Sequence, residues 1–263
     1  MSAACGIRTG VVLQARIDST RLPAKALLPL GGRPLLYRVM EALRQVEADL
    51  YVLASPGDCA EPFAPLAEEA GFVFCPGPKE DVLGRYCQAI RRHAIDRVIR
   101  ATADNPFVFA DAASAINAEA LALGADYAAY AGLPYGAGVE SVAAEALLRA
   151  ERESSPALVD LAPAAALPPE REHVCPYLYG HPELFLLHRP LAKRAWREPS
   201  LRISVDTEED YQRCLLLWEA LADSPRSGAP LCGEAIIAAA GRAYSRTCRP
   251  ACGQRAAAGR PGE

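Results

Sequence analysis

The feature that most constrains this chain is a rhythm of short apolar runs alternating with amphipathic helical stretches over most of its 263 residues. Val11, Val12 and Leu13 read as a first strand, residues 49–55 as a second, 72–75 as a third and 97–103 as a fourth, each stopped by polar residues, Gly or Pro. Between them, Leu35, Leu36, Val39, Met40, Leu43 and Val46 fall at helical spacing over 34–46, with Pro34 well suited to the first turn. Residues 60–70 and a segment with Val82, Leu83, Tyr86, Ile90 and His93 on one face predict two more helices, and an alanine-rich helix over 110–123 precedes a strand over 126–131. Strands separated by helices cannot pair as hairpins. The pattern therefore predicts an α/β protein with a mainly parallel sheet, right-handed crossovers and helices on its faces.

Composition narrows the function classes. Hydrophobic residues at 51% and charged residues at 23% suit an ordinary globular chain, and the length suits one large α/β domain. A net charge of -4 offers a polyanion nothing global to bind, so nucleic acid is not an expected partner and basic character must be local. Nine cysteines form no C-x-x-C pair, and the odd number argues against a closed disulfide framework; reduced thiols and a cytoplasmic location are expected. Cys248 and Cys252 lack the further ligands a metal site needs. No signal-type apolar segment or run of 18 apolar residues occurs, so no membrane partner is expected.

The local basic character sits in residues 14–25, Q-A-R-I-D-S-T-R-L-P-A-K, directly after the first strand. Arg16, Arg21 and Lys25, with the hydroxyls of Ser19 and Thr20, suit a phosphate presented at the carboxyl edge of a parallel sheet. No G-x-x-x-x-G-K-[ST] pattern is present, so this is not a Walker loop. On charge alone, a solvent-facing basic turn explains the segment equally well.

Two later junctions share one chemistry. The strand over 97–103 runs into Asp104, Asn105 and Pro106, and a strand over 201–205 runs into Asp206, after which Thr207 opens a capping box for a helix carrying Tyr211, Leu215, Trp218 and Leu221. A carboxylate at a strand end is placed to hold a divalent cation over phosphates, although Asp is common in plain turns there. Residues 132–141 read as a loop of the kind that shapes a second substrate's pocket, and 142–153 as a helix. The proline-rich stretch 156–169 reads as a connector, 184–189 as a strand and 234–240 as a short helix. Residues 243–263 are expected to be a disordered tail beyond a single domain over 1–242. Glu80 and Asp81 open a helix with Arg85 one turn on, and residues 171–179 group Arg171, Glu172 and His173 ahead of two tyrosines.

Taken together, the basic loop, the A-D-x-P strand end and the V-D-T-x-E-D junction resemble the cytidylyltransferases that activate acidic sugars, such as CMP-sialic acid and CMP-KDO synthetases. The resemblance is strongest to the group named for spore-coat polysaccharide biosynthesis protein F. Residues 12–25 are similar to its V-x-Q-A-R-x-x-S-T-R-L-P-x-K opening, 80–86 to E-x-D-V-L-x-R-Y, and 100–106 to R-x-T-A-D-x-P. Residues 171–179 resemble R-E-H-V-x-P-Y-x-Y, and 201–210 resemble L-R-x-x-V-D-T-x-E-D.

The resemblance implies a GT-A-like, Rossmann-like nucleotidyltransferase fold with a mainly parallel mixed sheet flanked by helices. It also implies attack of an acceptor oxygen on the α-phosphorus of CTP, with release of pyrophosphate. It assigns Gln14, Ala15, Arg16, Ser19, Arg21, Lys25, Asp81, Arg85 and Thr102 to the nucleotide, with Lys25 and Arg16 as catalytic cations. It assigns Asp104 and Asp206 to Mg²⁺, and Glu140, Arg171 and His173 to a small-molecule acceptor; a homodimer is a further expectation. Two departures matter. Gly138 replaces the first acid of the group's P-x-G-x-D-x-E segment while Glu140 keeps the second, and Asn105 replaces the middle acid of the KDO enzymes' D-E-P. A GT-A glycosyltransferase using a nucleotide sugar is the competing enzyme reading, against which the chain lacks a D-x-D pair at a strand end. A non-catalytic nucleotide-binding protein is the third reading.

Overall fold

The computed structural model describes residues 6–155, 168–222 and 232–247. Strand β1 (Thr9–Gln14) leads through the basic loop and a single 3-10 turn to a two-residue ribbon, β2 (Pro29–Leu30) and β3 (Arg33–Pro34). Gly31 and Gly32 close that ribbon at φ 56 and φ 76, where a side chain would be strained. Helix α1 (Leu35–Leu43), strand β4 (Leu50–Pro56), helix α2 (Ala60–Glu69) and strand β5 (Val73–Gly77) follow in the expected alternation. Helix α3 (Val82–His93) then crosses to β6 (Arg97–Thr102), and α4 occupies Ala110–Leu123, ended by Gly124 in the left-handed conformation.

Strands β5, β4, β1 and β6 lie side by side and parallel. The chain leaves β1 toward β4 on one side and returns through α3 to β6 on the other. The carboxyl ends of β1 and β6, where Gln14 pairs with Thr102, therefore flank the point at which strand order reverses. Open α/β sheets bind ligands in that crevice.

Beyond β6 the sheet becomes mixed. Strand β7 (Tyr127–Ala128) is shorter than the expected 126–131, and β8 (Glu140–Ala143) runs antiparallel to both β6 and β7. Residues 140 and 141 were expected in a loop and 142–143 in a helix, which starts instead at α5 (Ala144–Glu153). The strand carries no β-branched run to announce it. Its polar side chains are satisfied by tertiary partners, as where Ser141 Oγ donates to Asn117 Oδ1 at 2.8 Å. Helices α6 (Pro169–His173) and α7 (Pro176–Gly180) precede β9 (Leu187–His188), all that the expected strand over 184–189 supplies, and it adds to the edge beside β7.

The expectation of a strand over 201–205 is also corrected. That segment is extended but pairs with loops: Tyr135 N donates to Leu201 O at 2.9 Å, Ile203 N to Tyr135 O at 2.9 Å, and Val205 N to Asp104 O at 2.8 Å. The last of these bonds brings the Asp104 and Asp206 carboxylates together. Helix α8 (Glu208–Ala222) and helix α9 (Gly233–Thr247) complete the described chain. α9 runs past the expected 234–240 and past residue 242, and the rest of the expected tail lies outside the described residues, as do 156–167 of the expected connector.

The core is threefold. Val11, Leu13 and Ile99 pack with α1, α2 and α4 on one sheet face, while Val12 and Val98 pack with Leu83, Tyr86 and Leu147 on the other. A third cluster, with Phe107, Phe109, Trp196, Ile203, Leu217 and Ile236, lies under the β6 exit and fixes the 201–206 segment. Among the described residues Cys59, Cys75, Cys87, Cys175, Cys214 and Cys232 are free thiols, and burial pushes Cys214 up to about 12. No helix among the described residues is long and apolar enough to cross a membrane.

Candidate active site

The exits of β1 and β6 open into a cleft of about 200 Å³. Its lining includes Gln14, Ala15, Arg16, Ser19, Arg21, Lys25, Arg85, Thr102, Asp104 and Asp206. Eight of the nine residues assigned to the nucleotide, and both assigned to the metal, are thus brought to one place. Ala24 takes the left-handed conformation at φ 51 just before Lys25, turning the chain so that the loop doubles back on the strand ends.

Lys25 is the centre of the charge arrangement. Its Nζ donates to Asp104 Oδ2 at 3.2 Å, to Asp206 Oδ1 at 3.1 Å and to Val205 O at 2.8 Å. Arg21 Nη2 donates to Asp206 Oδ1 at 3.0 Å and Arg202 Nη2 to Asp206 Oδ2 at 2.6 Å. Burial pushes the Asp206 carboxyl up, but Lys25, Arg21 and Arg202 together hold it below its ordinary range. Arg16, by contrast, is exposed, with no ion pair among the described residues, and Arg85 is buried, with Nη1 donating to Pro78 O at 2.7 Å and Nε facing no partner among them. Burial lowers the Arg85 pKa. Cations concentrated at a crevice with buried walls suit a polyphosphate.

A second cleft of about 410 Å³ adjoins the first through Thr102. It is lined by Arg100, Asn105, Tyr127, Tyr130, Gly138 and Glu140, among others. Glu140 accepts from Tyr127 OH at 2.7 Å and pairs with Arg100, whose Nη2 also donates to Gln14 Oε1 at 3.1 Å. Burial works against the Arg100 charge, but Glu140 outweighs it and raises the pKa; burial and then Glu140 raise the Tyr127 phenol. Gln14, Arg100, Glu140 and Tyr127 therefore form one chain of hydrogen bonds from the first cleft into the second. Neither Arg100, which opens the R-x-T-A-D-x-P segment, nor Tyr127 is given a site role by the sequence. A charged residue inside a β-branched strand, two positions before Thr102 and so on its face, was the available signal for Arg100.

Three expected placements differ. Asp81 does not line the first cleft; it caps α3, with Gly84 N donating to its Oδ1 at 2.9 Å, and pairs with Arg171. The four-residue spacing of Asp81 and Arg85 would allow a helix-surface ion pair, but each has other partners instead. Arg171 lines neither cleft, because it is buried on Asp81 and Glu151. His173, expected beside the acceptor with Glu140, lines the first cleft together with Glu172.

With the geometry in place, comparison with known proteins decides the family. The family model described as cytidylyltransferase matches residues 11–222, which span both clefts. The chain belongs to the cytidylyltransferase family. It is 31% identical over 221 residues to the spore coat polysaccharide biosynthesis protein SpsF of Bacillus subtilis, covering 81% of this chain and 88% of that protein. A cytidylyltransferase from Leptospira borgpetersenii has the same fold, with a TM-score of 0.78 at 22% identity over 91% of this chain and 96% of that one. A CMP:2-keto-3-deoxy-manno-octonic acid synthetase complexed with CTP superposes with a TM-score of 0.59 at 15% identity, over 81% and 98% of the two chains. This cytidylyltransferase is therefore a nucleotidyltransferase enzyme, and the reaction to be accounted for is CTP-dependent transfer of CMP.

Proposed function

We propose that this cytidylyltransferase binds CTP with Mg²⁺ in the first cleft and transfers CMP to an oxygen of a sugar acid or related small acceptor in the second. The pathway served is glycan or cell-surface polysaccharide biosynthesis. The observation that carries the reading is the sharing of Lys25 Nζ by Asp104 and Asp206 in a cleft that also holds Arg16 and Arg21 and opens through Thr102 onto Glu140. In the reaction the acceptor oxygen bonds the α-phosphorus as the bond to the β-phosphate oxygen breaks, and pyrophosphate leaves with the electron pair. Such a displacement needs charge neutralisation and in-line positioning more than a covalent nucleophile.

Arg16, Arg21 and Lys25 hold the triphosphate, and Lys25 stabilises charge on the α-phosphate or the departing pyrophosphate. Two carboxylates within reach of one ammonium are a hard oxygen donor pair, the number Mg²⁺ commonly takes from protein when phosphate oxygens and water supply the rest. Asp104 and Asp206 would hold Mg²⁺, which supplies neutralisation and a template for the phosphates. Gln14, Ala15 and Arg85 face the nucleotide, and Glu140, held by Arg100 and Tyr127, presents its carboxylate to acceptor hydroxyls.

Purified protein with CTP and Mg²⁺ should release pyrophosphate in the presence of a sugar-acid acceptor such as 3-deoxy-manno-octulosonate. Absence of CTP binding in a thermal-shift titration, or selective stabilisation by a UDP- or GDP-sugar, would overturn the reading. Exposed Tyr179, Leu184 and Leu186 support a homodimer through residues 173–189, to be tested by light scattering at micromolar concentration.

A further inference from the structure

Asp81 and Arg171 lie 90 positions apart and meet in an ion pair that the chemistry above does not use. Arg171 Nε donates to Asp81 Oδ1 at 3.1 Å, Nη2 pairs with Oδ2, and Nη1 donates to Glu151 O at 3.0 Å. The arginine is 6% exposed. A two-pronged guanidinium–carboxylate bond fixes orientation as well as distance, which a lysine cannot do. Asp81 is at the same time the cap of α3, and the rotamer that serves both bonds suits glycine at 84, where a Cβ would clash with Asp81 Oδ2.

The flanking residues show what the pair positions. Val82 and Arg85, in the first turn of α3, line the first cleft, and so do Glu172 and His173, which directly follow Arg171. The next residue, Val174, is fully buried at φ 71 and ψ -57, a region that a β-branched side chain avoids. Cys175 N donates to His173 O at 2.9 Å and closes a three-residue γ-turn of the rare positive-φ kind. Strain of this sort persists only where surrounding bonds over-determine it, and it clusters at functional sites. Arg171 on one side and the buried Val174 and Cys175 on the other supply those bonds, leaving Glu172 and His173 held toward the cleft.

We propose that Arg171 is a positioning residue for the nucleotide: its fork on Asp81 ties α6 to the first turn of α3 and keeps Glu172 and His173 in the lining of the cleft. The proposal rests on the reading of that cleft as the CTP site. Because Arg171 reaches no reacting atom, its loss falls on nucleotide affinity rather than on turnover.

The test pairs hydrogen exchange on the ligand-free protein with CTP–Mg²⁺ kinetics. In Arg171→Lys, amide exchange over residues 170–180 should quicken and KM for CTP should rise about tenfold, with kcat at saturating CTP within about threefold of the parent. The double variant with Asp81→Asn should be no worse than the worse single variant, since both remove one bond. Unchanged exchange, or a loss confined to kcat, would overturn the proposal. If Arg171→Lys does not fold, exposed Glu172 and His173 provide the alternative: Glu172→Ala with His173→Ala should raise KM for CTP by a similar factor, and an unmoved KM sinks the proposal. Failure of the parent protein to bind CTP would refute the CTP reading, whereas the exchange measurement judges the Asp81–Arg171 tie on its own.

Discussion

Asp104 and Asp206, supplied by distant parts of the chain, accept hydrogen bonds from the same ammonium, Lys25 Nζ, at 3.2 and 3.1 Å. Two carboxylates at that separation from one point repel each other unless a cation lies between them. Lys25 fills that place, and on the proposed reading a metal-bound triphosphate would offer both acids and the lysine new partners. That reading makes an exchange of partners on nucleotide binding the consequence to test.

The first prediction follows from that exchange. Asp104→Asn and Lys25→Ala should each lower CTP-dependent pyrophosphate release by about 10²–10³ in kcat, the usual effect of losing one preorganised electrostatic contact. Asp104→Asn keeps the shape of the side chain and so separates charge from packing. Normal turnover and normal Mg²⁺ dependence in that variant would dismiss the metal assignment.

Acid sensitivity is the second. The Asp206 carboxyl, ordinarily near 3.8, titrates lower in the folded protein because its three cationic partners outweigh its burial. Its stabilising contribution is therefore complete above about pH 4 and is lost as pH falls through the depressed folded value. Asp210, held down in the same way by Arg202, adds to the same limb. Urea unfolding should show Asp206→Asn less stable than the parent at pH 7, with the gap closing as pH falls below 3.8. A gap that stays constant with pH would show that Asp206 is not ionised in the way the ion pairs require.

Glu140 provides the third. Its removal leaves the Arg100 guanidinium, with a side chain only 16% exposed, facing Gln14 alone. Leaving a buried charge without its partner costs on the order of 3 kcal/mol. Glu140→Gln should lower the urea-unfolding free energy by about that much and raise KM for the acceptor, while CTP affinity changes little. Arg100→Met combined with Glu140→Gln should recover stability but not acceptor KM. Recovery of both would reduce Glu140 to a structural counter-ion.

Local signals carried the first half of the fold. The basic loop was legible because its cations follow a β-branched strand, and helix α4 matched residues 110–123 because Gly124 ends it. What escaped was pairing between distant segments. Strand β8 is held by β6, β7 and the Ser141–Asn117 bond, none of which leaves a periodic trace in Glu140–Ala143. Residues 201–205 read as a strand from composition, yet their partners are the loops at Tyr135 and Asp104. Arg171 and His173 looked like neighbours of one substrate, but successive helical residues point different ways: one is buried on Asp81 and the other lines the cleft.

Gly136 joins those distant segments and carries the last prediction. Its φ of 95 is strained for any side chain, and a Cβ there would lie 2.6 Å from Ser204 N, a backbone atom that cannot rotate away. Gly136→Ala must therefore displace residues 201–205, whose Val205 N bond to Asp104 O at 2.8 Å brings the Asp104 and Asp206 carboxylates together. We expect a loss of about 2–4 kcal/mol in unfolding free energy, combining backbone strain with a close contact. The displacement should also weaken Mg²⁺-dependent CTP binding, although Gly136 lines only the second cleft. Calorimetric titration with CTP and Mg²⁺ checks this: unchanged CTP affinity in a destabilised Gly136→Ala protein would mean that Asp206 holds its place through Lys25, Arg21 and Arg202 without help from the 135–136 loop.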